Sequence, residues 1–106
     1  MRVNTKIIVI ASGGFDPIHS GHIHYLNEAS ELGNYLIVAV NSDAWLARKK
    51  GKAFMNWEER ATIVENLRCV DSVIEFDDFD GTAKNAILKI RKFNKDAKII
   101  FANGGD

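Results

Sequence analysis

Four short apolar runs constrain this chain more than any other feature: KIIVIA (6–11), YLIVAV (35–40), SVIEF (72–76) and KIIFA (98–102). Three of them are nearly unbroken apolar sequence rather than alternating, the pattern of strands covered on both faces of a parallel sheet. The segments between them carry helical spacing. Over 20–32, Ile23, Leu26, Ala29 and Leu32 recur every third residue, and Gly33 then supplies a stop. Over 57–68, Ala61, Ile63, Val64 and Leu67 form a stripe behind Asn56 and Glu59, a capping-box pair. Over 82–93, Ala83, Ala86, Ile87, Ile90 and Phe93 keep the helical period.

Parallel neighbours need crossovers, so this β-α-β-α-β-α-β series predicts a doubly wound, Rossmann-like α/β domain with helices on both faces of a parallel sheet. With the common strand order 3-2-1-4, the sheet changes direction between its first and fourth strands, and ligands bind outside the carboxyl ends at that switch point. The connection from Asn41 to Asn56 is long for so small a unit, which predicts a hidden short helix over SDAWLARK capped by Ser42. A chain of 106 residues has room for one domain, 1–106, and not two.

Composition narrows the partners. Fourteen basic residues balance fourteen acidic ones, so no global field draws the chain to nucleic acid or a membrane, and neither is an expected partner. The local exception is ARKKGK, where Arg48, Lys49, Lys50 and Lys52 crowd together as either an anion contact or a solvated loop. Cys69 is the only cysteine, which excludes an intrachain disulfide and a Cys-rich metal site. The first residues lack the pattern of a signal peptide and their apolar run is too short to span a bilayer, so a cytoplasmic location is expected.

The stretch SGGFDPIHSGHIHYL (12–26) holds all three histidines and the only proline. It follows the first strand, so Gly13 and Gly14 let the backbone approach a ligand closely, and Pro17 stiffens the path into the next helix. Free amides and the positive end of that helix would face the switch point, with His19 just before the helix and His22 in its first turn. Three readings stay open on these residues alone: histidines that merely satisfy a helix end, a zinc site from His19, His22 and His24 with Asp16, or a phosphate site. The pattern is neither the dinucleotide G-x-G-x-x-G nor the P-loop.

GGFDPIHSGHIHYL closely resembles the opening motif of the cytidylyltransferase-like nucleotidyltransferases, a strand followed by G-T-F-D-x-x-H-x-G-H, with Gly14 where that family usually has Thr or Ser. ASELGNYLIVAVNSD is similar to the helix-strand segment of heptose-phosphate adenylyltransferases, and KAFMNWEER to the K-A-Y-x-x-x-E-x-R element of glycerol-3-phosphate cytidylyltransferases. NGGD resembles the segment that ends the fourth strand in both groups.

The resemblance implies an enzyme that moves a nucleotidyl group from CTP or ATP to a small phosphorylated alcohol or sugar and releases pyrophosphate. His19, His22 and Lys52 would be catalytic, donating to phosphate oxygens as charge builds. Gly13, Gly14, Phe15, Asp16, Gly21, Arg60, Asn103, Gly104, Gly105 and Asp106 would bind the nucleotide, while His24 would face away. Arg60 has a second reading, an ion pair with Glu58 or Glu59. Asp16 would order its loop by accepting backbone N–H groups or help hold Mg²⁺, the expected companion of the triphosphate. Trp45, Phe54 and Trp57 are candidates for the acceptor pocket, and Phe54, Met55 and Trp57 for a homodimer interface. Family members continue into a fifth strand and a Ser/Thr-rich motif, so the domain is expected to be incomplete at its C-terminus. A catalytically impaired nucleotide-binding module of the same fold is the alternative.

Overall fold

A computed structural model of the chain describes residues 6–102. Its elements run β1 (Ile7–Gly13), α1 (Ser20–Ser30), β2 (Tyr35–Val40), α2 (Asp43–Lys50), α3 (Trp57–Glu65), β3 (Ser72–Ile74), α4 (Lys84–Phe93) and β4 (Lys98–Ala102). The four strands form one parallel sheet in the order β3-β2-β1-β4, as expected from the sequence.

Successive residues of β1 supply opposite faces, which is why its sequence is apolar without alternation. Val9 and Ala11 pack with Leu36 and Val38 of β2, Leu26 and Ala29 of α1 and Val64 of α3. Ile8 and Ile10 pack with Ala39, with Ala86 and Ile90 of α4, and with Ala97. Each of the larger aliphatic side chains contributes roughly 1.5–3 kcal/mol by its burial, so β1 is the most heavily anchored element and a rigid base for the loop that leaves it. At the opposite end of the sheet, Gly33 lies so close to β1 that an added Cβ would fall 2.8 Å from the Ile7 carbonyl oxygen, and the Asn34 side chain accepts from the Ile7 N–H at 2.8 Å.

Several expectations need correction. In α1, Ile23 and Leu32 are 40% and 51% exposed, while Tyr25, Leu26 and Ala29 face the sheet. A step of three residues rotates about 60° short of a full turn, so a strict every-third pattern leaves the buried face within a few steps. β3 ends at Ile74 rather than at residue 76, because only Ser72–Ile74 pair with β2. α4 starts two residues late, since the Asp80 carboxylate takes both the N–H and the hydroxyl of Thr82 in a local turn, and Phe93 stands exposed at its end. Both α1 and α3 stop short of their expected ends, at Ser30 and Glu65.

α2 is present, with the Ser42 hydroxyl accepting from the Trp45 N–H at 3.0 Å. Asn56 likewise caps α3 through the Glu59 N–H at 2.9 Å. Among the described residues, no helix is long and apolar enough to cross a membrane.

Candidate functional site

A cavity of about 920 Å³ opens at the carboxyl ends of β1 and β4, the place where the sheet changes direction. Its floor is the end of β1 and the following loop from Ser12 to Pro17; α1 contributes His19, Gly21, His22 and Tyr25; α2 contributes Trp45, Leu46, Lys49 and Lys50; Phe101 and Ala102 close the β4 side.

The loop after β1 is fitted to its surroundings from both sides. An added Cβ on Gly14 would lie 2.9 Å from Leu46 Cδ2, so any larger residue here would require the Leu46 side chain to shift. Phe15 adopts φ 53°, a left-handed conformation that costs a non-glycine residue of order 1–3 kcal/mol. Burial of its ring holds it there: the ring packs edge-on against His22, with centroids 5.1 Å apart, and lies over Gly13, which has no side chain to displace it.

His19 is the N-cap of α1. Its Nδ1 accepts from the Gly21 N–H at 3.0 Å, and the Nδ1 of His22 accepts in return from the His19 N–H at 3.1 Å. The two rings lie 4.0 Å apart. With each Nδ1 accepting, the ring hydrogen of each imidazole lies on Nε2. Two of the amides at this helix end, those of His19 and Gly21, are therefore taken up by the rings. The histidines extend the positive helix end outward by one imidazole each, from the backbone N–H through Nδ1 to Nε2, and both residues line the cavity. The glycine between them is required for contact, because an added Cβ at Gly21 would sit 2.9 Å from His19 Cε1. His24 is exposed and away from the cavity wall, as expected.

Asp16 takes the ordering role. Its carboxylate accepts from the N–H groups of Phe54 and Met55, both at 2.7 Å, and pairs with Lys50 at 2.8 Å; Lys50 also donates to the Asp16 carbonyl at 2.7 Å. Burial pushes its carboxyl up, but the Lys50 contact and the two backbone donors together hold it below the ordinary carboxylate range. Among the described residues, Asp16 is the only carboxylate on the cavity wall. Among the described residues no group of three His, Cys, Asp or Glu side chains comes together around a metal ion. Among the described residues, the one carboxylate on the wall already accepts from three donors, so Asp16 is spent on ordering its loop.

Two expected contacts are elsewhere. Lys52 is exposed and off the wall: α2 runs on to Lys50 and stops at Gly51, φ 100°, so Lys49 and Lys50 supply the positive charge and Lys52 falls beyond the stop. Arg60 is 1% exposed and does not reach the cavity. Its ion pair is with Asp43, not with Glu58 or Glu59, and its other donors go to the carbonyls of Met55, Gly14 and Asn41. Trp57 is half-buried against the core, and its Nε1–H donates to the Val40 carbonyl at 3.0 Å. Phe54 is exposed and Met55 half-buried. Asn103, Gly104, Gly105 and Asp106 lie outside the described residues.

Sequence reasoning missed Tyr25 and Asp78. Tyr25 lines the cavity and donates from its hydroxyl to the Ala102 carbonyl at 2.9 Å, tying α1 to the end of β4; burial pushes the hydroxyl pKa up. The buried Asp78 carboxylate accepts from Asn41, from the Ser42 N–H and from the Ser42 hydroxyl, fixing the corner from which α2 starts. Burial raises its pKa and these bonds outweigh that, leaving it lowered. The position of Tyr25, three residues after His22 on one helix face, was a usable signal; nothing near Asp78 in sequence marks its partner.

Comparison with known proteins places these features in context. A family model described as Cytidylyltransferase-like matches residues 10–106. Bifunctional protein HldE of Geobacter sulfurreducens is 37% identical over 107 aligned positions, covering 99% of this chain and 20% of its own length. Glycerol-3-phosphate cytidylyltransferase of Bacillus subtilis is 46% identical over 66 residues, 62% of this chain and 51% of its own. The chain thus spans about a fifth of the length of the HldE relatives. Among solved structures, the lipopolysaccharide core biosynthesis protein from Thermoplasma volcanium superposes with a TM-score of 0.65 at 30% identity, over 95% of this chain and 99% of that one.

Proposed function

Because the chain belongs to the cytidylyltransferase-like family, we propose that its switch-point cavity binds CTP or ATP and transfers the nucleotidyl group to the phosphate of a small alcohol or sugar. The observation that carries this reading is the reciprocal capping of His19 and His22, which commits both Nδ1 atoms and fixes both hydrogens at Nε2.

In this reading an oxygen of the acceptor phosphate attacks the α-phosphorus. The new P–O bond forms as the bond from that phosphorus to the bridging oxygen breaks, and the electron pair leaves with pyrophosphate. No protein group forms a bond to phosphorus, so the work is positioning and stabilising charge. His19 and His22 donate from Nε2 to phosphate oxygens whose charge grows at the five-coordinate centre. The helix end behind them polarises both rings. Lys49 and Lys50 bring positive charge to the opposite wall, and Asp16 holds Lys50 in place. Mg²⁺ is proposed to arrive with the triphosphate, with phosphates and water as its ligands. The cytoplasmic location and a homodimer rest on the sequence and the family resemblance.

The test is a pyrophosphate assay with Mg²⁺, either nucleotide, and a panel of polyol and sugar phosphates. Release that depends on one nucleotide and one acceptor class is expected. Nucleotide binding without release for any pair would overturn the transfer reading in favour of a binding module.

A further inference from the structure

Among the described residues, the buried guanidinium of Arg60 does not itself line the cavity but bonds to residues that do. Arg60 sits in the first turn of α3 with its side chain fully enclosed, and its guanidinium reaches three separate segments of chain. Nη1 donates to the Gly14 carbonyl at 2.9 Å and to the Asn41 carbonyl at 2.7 Å, Nε donates to the Met55 carbonyl at 2.9 Å, and Nη2 pairs with Asp43. Gly14 and Asn41 both line the cavity, at the carboxyl ends of β1 and β2, and Asp43 opens α2, which carries Lys49 and Lys50.

We infer that Arg60 is a positioning residue for the nucleotide site: from behind, it sets the spacing between the β1–α1 loop and the start of α2. This rests on the function proposed above and replaces a direct nucleotide contact with an indirect role. The planar fork matters as much as the charge. One Nη1 bridges two carbonyls that end adjacent strands, while Nη2 holds the carboxylate that orients α2. The Asn41 N–H donates to the Gly13 carbonyl at 2.9 Å, so the two strand ends are joined twice, once by the sheet and once by Arg60. An ammonium keeps the charge but cannot span all four acceptors, so Arg60→Lys should leave the sheet intact and let the two cavity loops drift apart.

The test compares wild type, Arg60→Lys and Asp43→Asn by hydrogen exchange and by pyrophosphate release. In Arg60→Lys, exchange should rise at amides 13–16 and 41–44 and stay unchanged at Leu36–Val40. The kcat/KM should fall by roughly ten-fold to a hundred-fold, as displacement of binding groups by about an ångström does, at a temperature where melts show the variant folded. Asp43→Asn should show a smaller change at the same amides. Unchanged exchange in both loops, or a rise spread evenly through the strands, would overturn the positioning role. A wild type that releases no pyrophosphate would refute transfer, while the exchange pattern would still decide the role of Arg60.

Discussion

At the scale of single residues, the site depends on where two protons sit. His19 and His22 use Nδ1 to cap their own helix, so losing either ring removes a proposed phosphate donor and also uncaps a backbone N–H. His19→Ala and His22→Ala should each lower turnover on the order of 10²-fold or more, as removal of one oxyanion donor does, whereas His24→Ala should leave it near wild type. Gly21→Ala leaves both histidines in the sequence but brings a methyl group against the His19 ring. It should therefore lose activity in the direction of His19→Ala, and steady-state rates for the four variants check this. Full activity in Gly21→Ala would mean that the ring need not lie where the cap holds it. The two histidines were legible from their spacing and from the family resemblance. Their tautomer was not, because it depends on which ring nitrogen faces the helix, and spacing alone leaves that choice open.

At the scale of elements, the cavity is made of loops fastened to one another by carboxylates. Asp16 ties the loop after β1 to the segment before α3, and Asp78 ties the loop after β3 to the start of α2. The folded pKa of Asp16 lies below its ordinary value, so its ionised form contributes stability that is complete above the ordinary carboxylate range and fades as pH falls through the lowered folded value. Asp16→Asn should accordingly melt below wild type at neutral pH, with the gap narrowing toward strongly acid solution. Thermal melts across that range measure it, and a gap independent of pH would show that ionisation of Asp16 is irrelevant to the fastening. The strands and the Ser42 and Asn56 caps were readable because they follow from local periodicity and side-chain chemistry. The ties from Arg60 and Asp78 were not, because each joins segments that meet only once the sheet is assembled, and their sequence neighbourhoods look like ordinary charged surface.

At the scale of the whole molecule, the parallel strands and the helices among the described residues bring the cavity to the carboxyl side of β1 and β4. Strand order predicted that location before any side chain was assigned, since a parallel sheet must change direction somewhere and leaves a crevice where it does. A second, smaller cavity of about 190 Å³ lies between α2, α3 and the end of β3, lined by Asp43, Glu58 and Glu75. Its acidic lining would repel a triphosphate, so the two cavities give opposite expectations for one experiment. Backbone amide shifts recorded while CTP or ATP is added with Mg²⁺ would map where the nucleotide sits. The expected result is a connected set of changes at residues 12–22, 45–50 and 101–102, with α4 and residues 57–58 and 75–76 unmoved. Changes centred on the acidic cavity or on α4, or none at saturating nucleotide, would contradict a nucleotide site at the switch point.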